Sequence, residues 1–163
     1  MSMTHYMELL ATNQPWNLLI FMAIPVVLAE TLAITELALL FTGQGDGPLR
    51  RINRAAAILA GLVFAAILLY LVPTVVVPLT ASGAWRGWID VVAVGCYLAG
   101  AVPLGLVALL DLGLLGRSLS PRRRLGWHVA AVGGFLVVAH VAMIFGMLDP
   151  TLGAAPMSHH MSH

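Results

Sequence analysis

The side chains that could do chemistry sit at the two ends of the chain. Its eight methionines are Met1, Met3, Met7 and Met22 at the start and Met143, Met147, Met157 and Met161 at the finish, with none between Phe41 and Ala142. Histidine follows the same bias, with His5 in the first tail and His159, His160 and His163 in the last. Thioether and imidazole together suit soft or borderline transition metals, Cu(I) above all, while imidazole alone also serves Cu(II), Ni and Zn. Met3, His5 and Met7, with Met157, His159, His160, Met161 and His163, are therefore the candidate metal ligands.

A second set of candidates lies in surroundings too apolar for charge. Glu30, Glu36, Asp111, His128 and His140 fall inside long hydrophobic segments, where an ionisable group is costly and needs a partner or a function. Glu36, Asp111 and His128 lie within about two helical turns of a segment end bearing arginines, so an inner-side polar cluster reached by snorkelling guanidiniums is expected. Glu30 and His140 lie deeper, Glu30 about 21 Å from Trp16 if that segment is helical. They are expected to meet as an intramembrane proton or ion site, or as a polar staple between helices. Tyr70 reaches a comparable depth as a hydrogen-bond donor. From His140 the spacing of three and then four puts Met143 and Met147 on the same helical stripe, with Met22 at similar height on the first segment. These six residues form a candidate path toward the tails.

The elements that must position these groups follow from composition. With 60% hydrophobic and 9% charged residues, the chain is far from a soluble domain. Four apolar segments, about 16–41, 55–80, 91–116 and 126–148, each reach the ~20 residues a helix needs to cross ~30 Å of hydrocarbon. The expected fold is all-α, an integral membrane four-helix bundle in one domain (16–148), with a short N-terminal tail (1–15) and a Met/His-rich C-terminal tail (149–163). Pro25, Pro73 with Pro78, and Pro103 interrupt three of the helices, and each frees the carbonyl four residues earlier, such as Phe21 or Ala99. Converging kinks would open a vestibule toward the tails. Small residues four apart, at Ala57, Gly61 and Ala65, Gly95 and Ala99, and Ala130 and Gly134, mark close helix approach or an oligomer interface.

Charge supplies the orientation. There is no lysine, and seven of the eight arginines follow the first and third segments: Arg50, Arg51, Arg54, then Arg117, Arg122, Arg123 and Arg124. The positive-inside rule makes those connections cytoplasmic and places both termini on the outer, periplasmic side of a bacterial inner membrane. The stretch before Trp16 has no Lys or Arg and carries Glu8, unlike a secretory signal, so the first helix is expected to be retained. The basic inner face implies contact with lipid rather than nucleic acid. Cys96 is a single cysteine and can form no intrachain disulfide.

No Gly-rich phosphate loop with Lys, no Cys pair, no His-Glu-x-x-His and no Ser-His-Asp set can be placed. The expected function is therefore copper handling or transport through the outward Met/His tails, as a binding accessory rather than an enzyme. Alternatives are an anchor subunit of a respiratory complex contacting haem or quinone, and a purely structural subunit with a membrane-protein partner or a second copy of itself. Bis-His haem ligation within the chain is disfavoured, because His128 and His140 would lie about 18 Å apart on one helix, and a second chain or Met22 would be required. Reporter fusions should place both termini outside and both arginine clusters inside. A cytoplasmic terminus would separate the metal-ligand tails from the periplasm and overturn this topology.

Overall fold

The computed structural model describes residues 3–43 and 47–153. These residues form helices and turns, with no strand among them. A short helix α1 (His5–Ala11) precedes four long ones: α2 (Trp16–Thr42), α3 (Pro48–Ser82), α4 (Trp88–Asp111) and α5 (Pro121–Met147). A single 3₁₀ turn, Pro150–Gly153, follows α5. Helices α2 to α5 are each long and apolar enough to cross a membrane. Large apolar side chains face outward along them, including Phe41, Leu69, Val102 and Val137. A soluble monomer rarely exposes so much contiguous apolar surface, and a bilayer is its natural solvent. The chain is a multi-pass membrane protein in contact with lipid.

Helix ends follow local chemistry. Pro48 and Pro121 occupy first turns, where a missing N–H costs nothing. Ser120 Oγ accepts from the Arg123 N–H to cap α5, and Thr4 Oγ1 accepts from the Met7 N–H to cap α1. Gly43 and Gly83 end α2 and α3 in the left-handed region, at φ +61° and +64°. These starts lie seven and five residues before the apolar boundaries, so Arg50, Arg51 and Arg54 ride on the first turns of α3 and Arg122 to Arg124 on those of α5. The third span ends sooner than its apolar run, at Asp111, and Gly113 and Gly116 turn the chain with positive φ.

The helices pack in chain order, α2 on α3, α3 on α4 and α4 on α5, and the ring closes more loosely between α2 and α5. Helices α3 and α4 approach closest at Gly61, where an added Cβ would lie 2.4 Å from Ala108 Cβ. Ala56, Ala57, Ala60 and Ala93 are also buried. The other small residues noted in the sequence, Ala65, Gly95, Ala99, Ala130 and Gly134, face outward instead, because larger neighbours such as Phe64, Val94 and Phe135 take the inward face of their helices. At the centre Phe64 meets Tyr97 and Phe135 at ring separations of 5.5 and 5.4 Å.

Each proline leaves its mark on the backbone. A wide π turn, Leu19–Ala23, precedes Pro25, and another, Val72–Val76, contains Pro73, while α4 breaks at Gly100 shortly before Pro103. Pro25 cannot donate to the Phe21 carbonyl, and the Tyr97 hydroxyl does so from α4 at 2.6 Å. A buried carbonyl is thus satisfied by a neighbouring helix, as membrane helices require.

The contact at Gly61 sets a test. Gly61→Val should lower stability by ~1–3 kcal/mol through overpacking against Ala108. Gly134→Ala, with open space around its Cβ, should be neutral or slightly stabilising. Thermal unfolding of the detergent-solubilised variants distinguishes the two.

Candidate functional site

Two polar regions lie along the seam between α2 and α5. At the arginine end, Glu36 of α2 and His128 of α5 pair at 2.8 Å between Oε1 and Nδ1, both almost completely buried. The other imidazole nitrogen, Nε2, lies 3.5 Å from Asp111 Oδ1 at the end of α4. That same oxygen accepts from Arg50 of α3 at 3.3 Å and Arg124 of α5 at 3.4 Å, and Arg124 also donates to the Leu110 carbonyl. Thr35, beside Glu36, accepts from the Asn53 amide of α3 at 2.9 Å, and Asn53 in turn accepts from Arg50. All four spans therefore meet in one charged network. The partners answer the burial: Asp111 is 2% exposed, and a carboxylate removed from water needs such hydrogen bonds.

Toward the termini the seam widens into a cavity of about 290 Å³. Glu30 and Met22 of α2 and His140 and Met143 of α5 stand on its wall, and Phe64, Tyr97 and Phe135 line it on the bundle side. Pro25 and Phe21 are also on the wall, so the expected vestibule is realised at one proline, in the α2 bend, while Pro73, Pro78 and Pro103 lie elsewhere. His140 Nδ1 donates to the Leu136 carbonyl at 2.6 Å. A carbonyl only accepts, so Nδ1 carries the proton and Nε2 keeps its lone pair in the neutral ring.

Helix α1 roofs this cavity through Tyr6, which packs against Tyr97 at 5.1 Å and against the backbone of Gly146. Burial pushes the Tyr6 phenol up to about 12. The roof is held by Asp90, which is fully buried in the first turn of α4. Its Oδ1 accepts the His5 backbone N–H at 2.7 Å, its Oδ2 faces His5 Nδ1 at 2.5 Å, and the Arg86 backbone N–H reaches Oδ2 at 3.3 Å. Arg86 also pairs with Glu8 at 2.5 Å and donates to the Met3 carbonyl, while Thr4 donates to the Gly146 carbonyl at 2.7 Å.

Several expectations change against this geometry. Glu36, Asp111 and His128 come together, joined by the arginines of α3 and α5. Glu30 and His140 share a cavity but make no direct hydrogen bond or ion pair, since His140 turns its Nδ1 to its own helix. Tyr70 is no partner for Glu30: it stacks on Phe21 at 6.0 Å and lines a separate groove with Asn17 and Ile20. The α2 bend interposes Phe21 between them. Met147 drops off the proposed path, 72% exposed and outside the cavity, because seven residues of helix carry it past the rim. In the N-terminal trio, His5 is turned to Asp90, Met7 is half-buried against the core and Met3 is exposed, so the three do not present one ligand face. Met157, His159, His160, Met161 and His163 lie outside the described residues. Asp90, Asn53, Thr35 and Thr4 were missed by sequence reasoning. The only hint was the short spacing of Asn53 from Arg50 and of Asp90 from Arg86.

Four apolar spans tied by a buried polar network, with a polar-lipped cavity between the first and last, define a small helical membrane protein. The chain belongs to DUF6803, a family of unknown function, whose model matches residues 1–162. No curated protein and no solved structure matches it.

The two regions should respond differently to mutation. Asp111→Leu leaves two guanidiniums and an imidazole without their shared carboxylate, and breaking such a pair costs ~3–5 kcal/mol when fully buried. With Arg50 and Arg124 about one-third exposed, the lower end of that range is expected. Glu30→Gln, at the exposed rim of the cavity, should leave the unfolding temperature of the solubilised protein nearly unchanged.

Proposed function

We propose that the protein binds a soft metal ion, in the simplest case Cu(I), in the cavity between α2 and α5, and that it serves metal handling or transport at a bacterial inner membrane with its termini outward. One observation carries the reading: Met22, Glu30, His140 and Met143 line the same cavity. Among the described residues no group of three His, Cys, Asp or Glu side chains is placed to hold a metal ion. A site here must therefore use thioethers, and thioethers select Cu(I) over Zn or Ni.

The remaining chemistry is consistent with that donor set. The Nδ1 bond of His140 to a carbonyl is the arrangement that fixes an imidazole and leaves Nε2 to ligate. Glu30 supplies a carboxyl group, which on losing its proton to solvent would balance a monovalent cation in a low-dielectric setting. The Met/His-rich residues 157–163 follow α5 in sequence and would collect the ion on the same side. The Tyr6 roof, clamped by Asp90, would govern access between the two.

The test is competition for Cu(I) between the purified full chain and a chromogenic chelator. Met22→Leu with Met143→Leu, and His140→Leu, should each weaken retention by no less than the roughly 10–100-fold that loss of an outer-shell partner costs a metal site. Met147→Leu, outside the cavity, should change little. Removing residues 157–163 should lower total occupancy, and binding should weaken as pH falls through the imidazole range, because protonated His cannot ligate. Equal copper retention by the intact chain and the cavity variants would end this reading.

A further inference from the structure

The arginine end of the α2/α5 seam holds a second cavity, of about 430 Å³, on the far side of the Glu36–His128 pair from the first. Its wall includes Leu39 and Leu40 of α2, Arg50 of α3, Leu119 of the preceding connection, and Arg124 and His128 of α5. Two guanidiniums and an imidazole thus stand around one space. The carboxylate they share, Asp111, is not on its wall.

Hydrogen bonding within the group leaves one guanidinium donor without an acceptor. A guanidinium only donates, and those of Arg50 and Arg124 find Asp111 Oδ1, the Asn53 side-chain oxygen and the Leu110 carbonyl. Asp111 Oδ1 is claimed by both arginines and is also the atom nearest His128 Nε2. Arg124 Nε is buried with no hydrogen-bond partner, as are His128 Nε2 and, on a residue that is not part of the cavity wall, Asp111 Oδ2. A buried donor is almost always satisfied, so the unpartnered Nε–H of a cavity-wall arginine points to an acceptor that enters the cavity. Charge agrees. One carboxylate pairs with two arginines, Glu36 is engaged by His128, and Arg51, Arg54, Arg122 and Arg123 add positive charge on the same helix ends.

We propose that this cavity binds a phosphate group. Phosphate offers several strong acceptor oxygens to a pair of forked donors, the pairing for which arginine is best suited. The leucines beside the guanidiniums supply an apolar wall, as the glycerol and acyl region of an anionic phospholipid would need, and basic pockets between spans at a membrane surface hold such headgroups. The phosphate can come from a lipid or from free solution, and both sources present the same group to Arg50 and Arg124. This proposal is independent of metal binding in the other cavity.

The experiment measures thermal unfolding of the detergent-solubilised full chain with dioleoyl phosphatidylglycerol, dioleoyl phosphatidylcholine or inorganic phosphate, with native mass spectrometry of retained lipid alongside. Phosphatidylglycerol should raise the midpoint by a few degrees over phosphatidylcholine. If inorganic phosphate does the same, the site takes free phosphate. If only the lipid acts, it takes the headgroup. Arg50→Gln and Arg124→Gln should each abolish the difference. Because they also touch the Asp111 network, Leu40→Glu is the companion variant: it leaves that network intact and places a carboxylate at the cavity wall, and it should lower lipid retention about tenfold. Arg122→Gln, off the cavity wall, should retain the effect. Equal midpoints in all three additions, or full lipid retention in Leu40→Glu, would overturn the proposal.

Discussion

Asp111 is a carboxylate almost without solvent at the end of an apolar helix, and a charge in that position is tolerated only if its partners arrive from elsewhere in the fold. They come from α3, as Arg50, and from α5, as Arg124 and His128, and His128 carries the connection on to Glu36 of α2. The network has consequences beyond its own energy. Lipid tails are as apolar as the helices, so burial of apolar surface does not by itself select which helix faces meet. An ionic cluster with one satisfactory geometry does select, and it sets the register of all four spans at one end of the bundle.

With one end pinned, the other end of the α2/α5 seam can open. The Leu19–Ala23 π turn and Pro25 bend α2 where Met22 and Glu30 stand, and the Phe21 carbonyl freed by Pro25 is secured by Tyr97 from across the bundle. The cavity is thus a product of a helix bend whose hydrogen-bond cost is met elsewhere. Helix α1 then covers what the bend exposes. Asp90 holds this cover through the backbone and side chain of His5 and through the backbone of Arg86, so that a second buried carboxylate organises the termini end much as Asp111 organises the arginine end.

The two cavities lie on either side of the Glu36–His128 pair along a single seam. One is lined by thioethers, an imidazole and a carboxylate, the other by guanidiniums and leucines. The thioether-lined and guanidinium-lined spaces are thereby separated by the Glu36–His128 pair, and the looser packing of α2 on α5 is what gives both of them room.

Much of this was legible in the chain itself. Four apolar lengths, the gathering of seven of the eight arginines in two short stretches and the prolines at Pro25 and Pro73 establish the number of spans, the sharing of one end by those seven arginines and the places where helices bend, because these depend on segment length, composition and the missing N–H of proline. The grouping of Glu36, Asp111 and His128 was legible too, since three costly residues near one surface must find partners there. What tertiary structure alone decided is which side chains share a space. Depth along a helix can be counted from sequence, but the direction a side chain faces around its helix depends on how each bend rotates the residues beyond it. A π turn before Pro25 is enough to put Phe21 between Tyr70 and the cavity and to leave Met22 beside Glu30 on its wall. Asp90 was equally hidden, because its main partners are a backbone amide and an imidazole from a helix 85 residues earlier in the chain.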